Sequence, residues 1–217
     1  MSAKYPRTPH LPWSPGGTND DKRLDLVESF VGTNIVITEK CDGSNLTYTR
    51  ESVFARTHSS APKHPSFALA KATHASIKTL IPEGHSVFCE YCYAVHSIEY
   101  SALPSYSLVF GVRRDGDAVW LSWDDVEAVA ESIGLPTVPV LFRGTVKTER
   151  ELVELTTRLS SGTSVFGGSC EGVVVRRAGT FLDEAFSYSV AKWVRAGHVQ
   201  TDEHWLHQTI RPQRLSP

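Results

Sequence analysis

Short segments rich in β-branched and aromatic residues, separated by turns, dominate this sequence and constrain its fold most strongly. They predict strands at 34–38, 46–50, 52–56, 86–93, 107–112, 118–122, 138–142, 171–177 and 187–194. Helices are predicted at 66–80, 124–133 and 149–159. Because strands that look antiparallel outnumber the scattered helices, we expect an α+β fold rather than a doubly wound parallel sheet.

Length and composition limit the number of domains, the kind of partner and the cellular location to be expected. At 217 residues and 41% hydrophobic content, with no internal repeat or low-complexity linker, the chain is expected to form one domain, 1–217, ending in a short helix. A net charge of -2 does not identify a partner, so a nucleic-acid binder of this charge must gather its cations on one face. No signal peptide or membrane-spanning stretch of roughly 20 apolar residues is evident, and four cysteines do not make a disulfide scaffold, so we expect a cytoplasmic location.

The segment Thr38-Glu-Lys-Cys-Asp-Gly-Ser-Asn45 carries the clearest chemical signal. A strand brings Lys40 to a tight turn at Asp42-Gly43. A lysine is nucleophilic only when burial or a neighbouring cation lowers its pKa, and it can then attack the α-phosphate of ATP. Ser44 and Asn45 are placed to hydrogen-bond a ribose, and Gly43 allows close approach of the backbone. The plainer alternative is a hairpin turn beside a solvated lysine.

This segment resembles motif I of the covalent nucleotidyltransferases, the superfamily of DNA ligases, RNA ligases and mRNA capping enzymes. Other segments resemble the further motifs of the superfamily in the expected order. Phe-Ala-Arg-Thr-His, with Arg56, resembles motif Ia; Val-Phe-Cys-Glu-Tyr, with Glu90, resembles motif III; and Ser-Leu-Val-Phe-Gly, with Phe110, resembles motif IIIa. Cys-Glu-Gly-Val-Val-Val-Arg, with Glu171, resembles motif IV, and Val-Ala-Lys-Trp-Val-Arg, with Lys192, resembles motif V. The resemblance implies an adenylation domain of two antiparallel sheets with flanking helices, similar to DNA ligases and to the ATP-grasp fold.

Within the superfamily, Glu39-Lys40 followed by Asn45 is similar to the RNA ligase 2-like group. Segments elsewhere are also similar to that group's smaller members: Thr8-Pro-His-Leu-Pro, His96-Ser-Ile-Glu-Tyr100, Leu103-Pro-Ser-Tyr106, Gly134-Leu-Pro-Thr-Val-Pro-Val and His198-Val-Gln-Thr-Asp-Glu-His-Trp205. The resemblance implies an ATP-dependent RNA ligase that joins 5′-phosphate and 3′-hydroxyl ends in RNA repair or end sealing. Lys40 would carry AMP and pass it to the 5′-phosphate.

Two carboxylates and two cations are expected around this lysine. Glu90 and Glu171 interrupt or begin apolar strands, where an acid needs a partner or a cavity, and they are the candidate ligands of Mg²⁺ or Mn²⁺. Lys192 and Arg195 would bring positive charge to the α-phosphate and lower the pKa of Lys40. The usual second motif V lysine is replaced by Val194, so Arg195 either substitutes for it or one phosphate contact is missing.

The remaining candidate residues each have an ordinary structural alternative. Arg56 is assigned to the nucleotide or the RNA 5′-phosphate, because a guanidinium binds phosphate through two parallel hydrogen bonds. Phe110 is expected to stack on adenine, although it could be plain core. Glu39 is placed with Gly43, Ser44 and Asn45 in the nucleotide site. Asp42 either shapes the turn or polarises metal-bound water.

Two groups of potential metal ligands have plainer explanations. Cys89 and Cys92 lie in one strand and would point to opposite faces, so small buried residues are favoured over a zinc or redox pair, as for Cys41 and Cys170. Near the C-terminus, a helix capped by Thr201 and docked by Trp205 is favoured over a cluster of ligands, His198, Asp202, His204 and His207.

Two rival functions remain. A GTP-using capping-type transferase would label with GTP, and the short stretch of 22 residues after Arg195 in the 217-residue chain argues against it, since such enzymes usually carry a further domain. The same shortness argues against a separate C-terminal RNA-binding domain, so a protein partner could supply RNA binding. A non-catalytic module that binds nucleic-acid ends would be expected to have lost the lysine or the acids, and all of them are present.

Overall fold

The computed structural model describes residues 4–17, 21–58, 60–197 and 210–217. The strands are β1 (Asn34–Glu39), β2 (Ser44–Tyr48), β3 (Val53–Ala55), β4 (His85–Tyr91), β5 (Ser107–Arg114), β6 (Val119–Trp120), β7 (Val140–Thr145), β8 (Gly172–Arg177), β9 (Phe181–Leu182) and β10 (Val190–Val194). The helices are α1 (Ala68–Ile77), α2 (Trp123–Ser132), α3 (Glu149–Ser160) and α4 (Phe186–Ser189), with short 3₁₀ turns at Glu28–Phe30, Pro65–Phe67 and Asp183–Ala185.

Two antiparallel sheets make up the fold. One has four strands in the order β10-β8-β1-β7, and the other has six in the order β3-β2-β4-β5-β6-β9. Strand β1, which precedes the lysine, is central in the four-stranded sheet and pairs with β7 and β8. Strand β2, which follows the lysine, belongs to the six-stranded sheet and pairs with β3 and β4. The short segment 40–43 therefore crosses from one sheet to the other.

Helices α1, α2 and α3 cover the outer faces of the sheets, and a third cluster of apolar side chains, which includes Phe186 of α4, fills one end of the space between the sheets. Helices α1 and α2 pack on the six-stranded sheet, with Ala70, Ile77, Val126 and Ala130 in its core. Helix α3 packs on the four-stranded sheet through Leu152 and Leu155. Between the sheets, Phe88, Trp120, Phe181, Phe186 and Val190 form the third cluster. The two inner faces beyond that cluster remain open to each other.

The predicted α+β class is confirmed, and the main departures lie near β10. The strand predicted from residue 187 begins at Val190, because Phe186–Ser189 forms the four-residue helix α4, which sequence reasoning missed. The two-residue strand β9 was also missed, because it is too short to show alternation. The predicted C-terminal helix and its Thr201 cap lie outside the described residues. Within the described part of the chain, no helix is long and apolar enough to cross a membrane.

The N-terminal segment extends the edge of the four-stranded sheet. The amide of Lys192 in β10 donates to the Pro9 carbonyl at 2.9 Å, and the Leu11 amide donates to the Lys192 carbonyl at 2.8 Å. On its other side, the His10 amide donates to the Lys22 carbonyl at 2.7 Å. The guanidinium of Arg23 donates to the carbonyls of Leu11, Pro12 and Ser14 and fixes the turn between these segments.

Candidate active site

A cleft of about 760 Å³ opens between the inner faces of the two sheets. Most of the predicted site residues line it: Glu39, Lys40, Gly43, Ser44, Asn45, Arg56, Glu90, Phe110 and Lys192. They come from both sheets and from the segment that crosses between them. Glu171 lies beside the cleft, in contact with Lys40. The residues chosen from widely separated motifs are therefore brought together in one place.

Lys40 is held where β1 ends. Its amide donates to the Gly172 carbonyl at 2.9 Å, which continues the pairing of β1 with β8 by one residue. Its Nζ lies 2.6 Å from Glu171 Oε1, and the two side chains are 27% and 3% exposed. A Cβ at Gly172 would lie 2.0 Å from the Trp193 carbonyl oxygen, so only glycine lets β10 pack this closely next to Glu171. The ion pair thus places a partly accessible amine at the cleft.

The charge state of Lys40 differs from the sequence expectation. Burial lowers the pKa of Lys40, but the carboxylates of Glu171, Glu90 and Asp42 raise it by more, so its pKa lies above the ordinary value. Lys192 and Arg195 do not lower it on balance, and that expectation was wrong. The acids outweigh the cations because Glu171 is in direct contact with the amine. Lys40 is therefore an ion-paired ammonium, and an ammonium has no free electron pair with which to act as a nucleophile.

Glu90 is the second carboxylate beside Lys40. It pairs with Asn45 across β2 and β4, and its Oε1 accepts from the Gly43 amide at 3.0 Å. Burial and the charge of Glu171 outweigh the attraction of Lys40 and raise the pKa of Glu90 from 4.5 to about 7. A Cβ at Gly43 would lie 2.7 Å from the Tyr91 carbonyl oxygen, so glycine is required where the crossing segment passes β4. Glu90 thus titrates near neutrality.

This raised pKa makes a prediction about stability. Because the folded-state pKa of Glu90, about 7, exceeds its ordinary value of 4.5, the folded protein binds more protons in this window and loses stability as pH rises through it. Glu90→Gln keeps the acceptor for Gly43 and removes the charge. We expect its Tm to exceed that of the wild type by roughly 3–6 °C at pH 8, with a smaller difference at pH 4.5. Thermal unfolding at both pH values, with exposed Glu51→Gln as the control, measures this. An equal difference at both pH values would contradict it.

Asp42 has a clear structural role. Its Oδ2 accepts from the amide and hydroxyl of Ser97, each at 2.8 Å, and from the Ile98 amide at 2.9 Å. Its own amide donates to the Tyr100 hydroxyl at 2.7 Å. Of the two roles left open by the sequence, shaping the turn is the one these contacts describe. The segment that follows Lys40 is thereby fixed to the loop after β4.

Gln213, which sequence reasoning missed, braces that loop from the other side. It is 3% exposed, its Oε1 accepts from the Tyr100 amide at 2.7 Å, and its Nε2 donates to the Ile98 carbonyl at 2.6 Å. Its amide also donates to the Tyr93 carbonyl at 2.8 Å. A lone glutamine in a polar tail gives no sequence signal for such a role. The described C-terminal residues thus support the loop that holds Asp42.

Gln213→Ala should therefore destabilise the protein. It leaves a buried backbone N–H at Tyr100 and a buried C=O at Ile98 without partners, at roughly 1–3 kcal/mol for each group. We expect a loss of roughly 2–4 kcal/mol in the free energy of unfolding, measured by denaturant titration. Arg214→Ala is the matched control, because only the Arg214 carbonyl, which accepts from the Leu103 amide, takes part in the docking. Equal stability of the two variants would contradict the bracing role.

Lys192 faces the cleft, whereas Arg195 does not. The Lys192 Nζ lies 3.5 Å from Asp21 Oδ1, and burial lowers the pKa of Lys192. Because side chains alternate along a strand, Val194, the last residue of β10, shares the Lys192 face, and Arg195 follows the end of the strand. Arg195 is not among the residues that line the cleft, and its Nε has no hydrogen-bond partner among the described residues. Its predicted phosphate contact has no support in this geometry.

Aromatic and cationic side chains that sequence reasoning missed complete the inner end of the cleft. The ring of Tyr5 lies edge-on to Phe110, with centroids 4.9 Å apart, and contacts the third cluster through Phe88 and Trp120. Arg176 is buried, donates to the Leu121 carbonyl, and packs over the ring of Phe181. The sequence did carry a signal for Arg176: it lies two residues after Val174 in β8, so both side chains are expected on the same face of the sheet, and Val174 also lines the cleft.

Glu39 is buried between the cleft and the 164–165 loop. Its Oε2 accepts from the Val165 amide at 2.9 Å, and burial raises its pKa. Its Oε1 has no hydrogen-bond partner among the residues that the structure describes. An acceptor buried at the cleft wall without a donor suits a ligand that brings its own N–H group.

The acids suit a hard divalent cation shared with phosphate. The charge of Glu171 helps to raise the pKa of Glu90 beside Lys40, and Mg²⁺ or Mn²⁺ prefers such oxygen ligands together with water and phosphate oxygens. Across the described residues, no group of three or more His, Cys, Asp or Glu side chains could hold a metal ion. A cation here would therefore need nucleotide and water to complete its ligands.

The other potential ligand groups have structural roles or are not described. Cys41, Cys89, Cys92 and Cys170 are all buried and free, as expected for small core residues. Burial raises the pKa of the Cys89 and Cys92 thiols, which makes them unreactive. The group His198, Asp202, His204 and His207 lies outside the described residues.

Two antiparallel sheets that enclose a cleft, with a lysine and acids at their junction, define a nucleotidyltransferase-like fold. Solved structures of mutant forms of the Naegleria gruberi RNA ligase share it. One, described as apo, has a TM-score of 0.58 and 14% identity and covers 78% of this chain and 51% of its own. Another, with ATP and Mn, has a TM-score of 0.58 and 12% identity and covers 90% of this chain and 61% of its own.

The family model described as RNA ligase matches residues 33–194. The chain therefore belongs to the RNA ligase family. No curated protein matches it. The chain spans about half the length of the apo Naegleria structure.

Proposed function

We propose that this protein is an ATP-dependent RNA ligase whose covalent intermediate is AMP on Lys40. The observation that carries the proposal is the contact of Lys40 Nζ with Glu171 Oε1 at 2.6 Å, in a cleft that Glu90 and Lys192 also line. The family assignment and the fold, shared with a ligase solved with ATP and Mn, support it. RNA with 5′-phosphate and 3′-hydroxyl ends is the proposed substrate.

In the first step, Lys40 Nζ attacks the α-phosphorus of ATP. The N–P bond forms, the bond from phosphorus to the β-phosphate breaks, and pyrophosphate leaves with the electron pair. Glu171, 2.6 Å away, is the nearest acceptor for the ammonium protons, which then pass to water. A divalent cation on Glu90 and Glu171 would supply positive charge that offsets these carboxylates and the phosphate charge. Lys192 faces the same phosphate from β10.

Two further transfers complete the proposed reaction. An oxygen of the RNA 5′-phosphate attacks the AMP phosphorus, the N–P bond breaks, and Lys40 leaves and takes up a proton. The RNA 3′-hydroxyl then attacks the activated 5′-phosphorus, AMP leaves with the electron pair, and the hydroxyl proton passes to water. Arg56, exposed after β3 at the mouth of the cleft, is proposed to bind the 5′-phosphate.

The walls of the cleft favour adenine over guanine. The exocyclic amine of adenine is a hydrogen-bond donor, whereas guanine carries an acceptor at the corresponding position. Glu39 Oε1, buried and without a donor among the described residues, is proposed to accept from that amine. Phe110 and Val174 would pack on the two faces of the base, and Ser44 and Asn45 would contact the ribose.

Labelling with ATP, GTP and NAD in parallel, followed by sealing assays on nicked duplex RNA, single-stranded RNA and DNA ends, tests the proposal. We expect AMP transfer to the protein from ATP alone and sealing of RNA ends. Labelling by GTP would instead indicate a capping-type transferase. Binding of RNA ends without labelling or sealing would indicate an end-binding module, and a requirement for added cell extract would indicate a protein partner.

A further inference from the structure

Two cations of the N-terminal region, Arg7 and Lys22, line the same cleft. Both side chains belong to exposed residues, and neither forms an ion pair with any residue that the structure describes. Cations that line a cleft without a carboxylate partner are suited to an anionic ligand. Neither belongs to a segment matched by the family model, which begins at residue 33.

The backbone fixes Lys22 close to Lys192. The Lys22 carbonyl accepts from the His10 amide at 2.7 Å. On either side of His10, the Pro9 carbonyl accepts from the Lys192 amide at 2.9 Å, and the Leu11 amide donates to the Lys192 carbonyl at 2.8 Å. Lys22 and Lys192 therefore flank one extended segment that carries His10. Asp21, the residue before Lys22, has its Oδ1 atom 3.5 Å from Lys192 Nζ, and this contact links the segment of Lys22 to β10. Sheet-like pairing therefore sets the position of Lys22, and Arg7 lies two residues before Pro9, where the same pairing begins.

The strand that carries Lys192 supplies no second cation to the cleft. Val194 occupies the next position on the Lys192 face, and Arg195, which follows the strand, is not among the residues that line the cleft. An ATP molecule carries its charge mainly on the β- and γ-phosphates, and transfer from the α-phosphate places additional charge on the departing pyrophosphate. Arg176 also lines the cleft from β8, but it is buried at the inner end, where it packs over Phe181 and donates to the Leu121 carbonyl. With Lys192 assigned to the α-phosphate, Arg7 and Lys22 are the exposed cations of the N-terminal region that also line the cleft. Arg56 lies across the cleft, on the six-stranded sheet.

We propose that Arg7 and Lys22 bind the β- and γ-phosphates of ATP and stabilise pyrophosphate as the bond to the α-phosphorus breaks. This inference rests on the proposed function, because it assigns residues to the first of its steps. It places the N-terminal segment in the active site as a provider of leaving-group contacts. The later steps of the proposed reaction involve no pyrophosphate and therefore do not depend on Arg7 and Lys22.

The double variant Arg7→Ala with Lys22→Ala tests this division of labour. Removing two charge-assisted contacts should raise the KM for ATP in lysyl-AMP formation by roughly 100-fold, and raise by a similar factor the pyrophosphate concentration needed to discharge the adduct. Sealing of pre-adenylated RNA should stay within about twofold of the wild type, because no pyrophosphate is involved. The charge-retaining pair Arg7→Lys with Lys22→Arg should keep most of the wild-type behaviour. Lys71→Ala on α1, outside the cleft, is the control for loss of a cation.

Two results would overturn the inference. One is an unchanged KM for ATP in the double variant, and the other is an equal loss in sealing of pre-adenylated RNA, which would assign the cations to RNA. If the wild type forms no lysyl-AMP at all, the proposed function fails instead. Calorimetric titration with inorganic tripolyphosphate then still tests the site: binding that the double variant loses supports it, and binding that is absent from the wild type or unchanged in the double variant refutes it.

Discussion

Lys40→Ala should abolish transfer of AMP from ATP to the protein, with labelling reduced to background, because it removes the amine that lies 2.6 Å from Glu171 Oε1. The removed nucleophile is the atom that bonds to phosphorus, and loss of such an atom costs enzymes roughly 10⁴-fold or more in rate. The measurement is autoradiography of protein incubated with labelled ATP and a divalent cation. Sealing of pre-adenylated RNA should be retained in part, because that step does not pass through the amine.

Two controls make this result specific. Lys40→Arg keeps a cation next to Glu171 and cannot form the adduct, so it should fold normally and remain unlabelled. Lys192→Ala removes a neighbouring cation but leaves the nucleophile, so slower labelling is expected rather than none. AMP labelling that persists in Lys40→Ala would assign the adduct to another residue.

Glu171→Gln has the second largest expected effect. It replaces the carboxylate oxygen 2.6 Å from Lys40 Nζ by a neutral amide of the same shape. The variant loses the nearest proton acceptor and one of the two proposed cation ligands. We expect the rate of lysyl-AMP formation to fall by roughly 10²–10⁴-fold, the range for loss of a positioned acid–base or charge-stabilising group. Single-turnover labelling at saturating ATP measures it.

The matched control is another acid paired with a cation, but on the surface. Glu154 Oε1 lies 2.8 Å from Arg150 Nε on α3, and both side chains are largely exposed. Glu154→Gln should leave labelling unchanged and alter stability by less than about 0.5 kcal/mol. Equal labelling rates in Glu171→Gln and the wild type would remove Glu171 from the chemistry and reduce its contact with Lys40 to a structural ion pair.

Local sequence patterns predicted the parts of the fold that depend on alternation and turn chemistry. The strand before Lys40, the glycine at position 43 and the half-buried acid at position 90 follow from such patterns, and all three meet at the cleft. Strand alternation also explains why Val194 shares the face of Lys192, whereas Arg195 lies beyond the end of β10. What alternation could not show is the crossing of the chain from one sheet to the other immediately after Lys40.

The electrostatics of the site depended on contacts that the sequence does not contain. Lys40 and Glu171 are far apart in the chain yet lie 2.6 Å apart, and this proximity reversed the expected direction of the Lys40 pKa shift. Gln213 and Tyr5 were missed for the same reason, because their partners come from distant segments. Long-range packing decides these roles.

The most direct test of the central claim is the intact mass of the purified protein after incubation with ATP and Mg²⁺ or Mn²⁺. We predict a mass increase of one adenylyl group, located at Lys40 by peptide mapping and reversed by added pyrophosphate. An unchanged mass under every combination of nucleotide and cation would contradict the account.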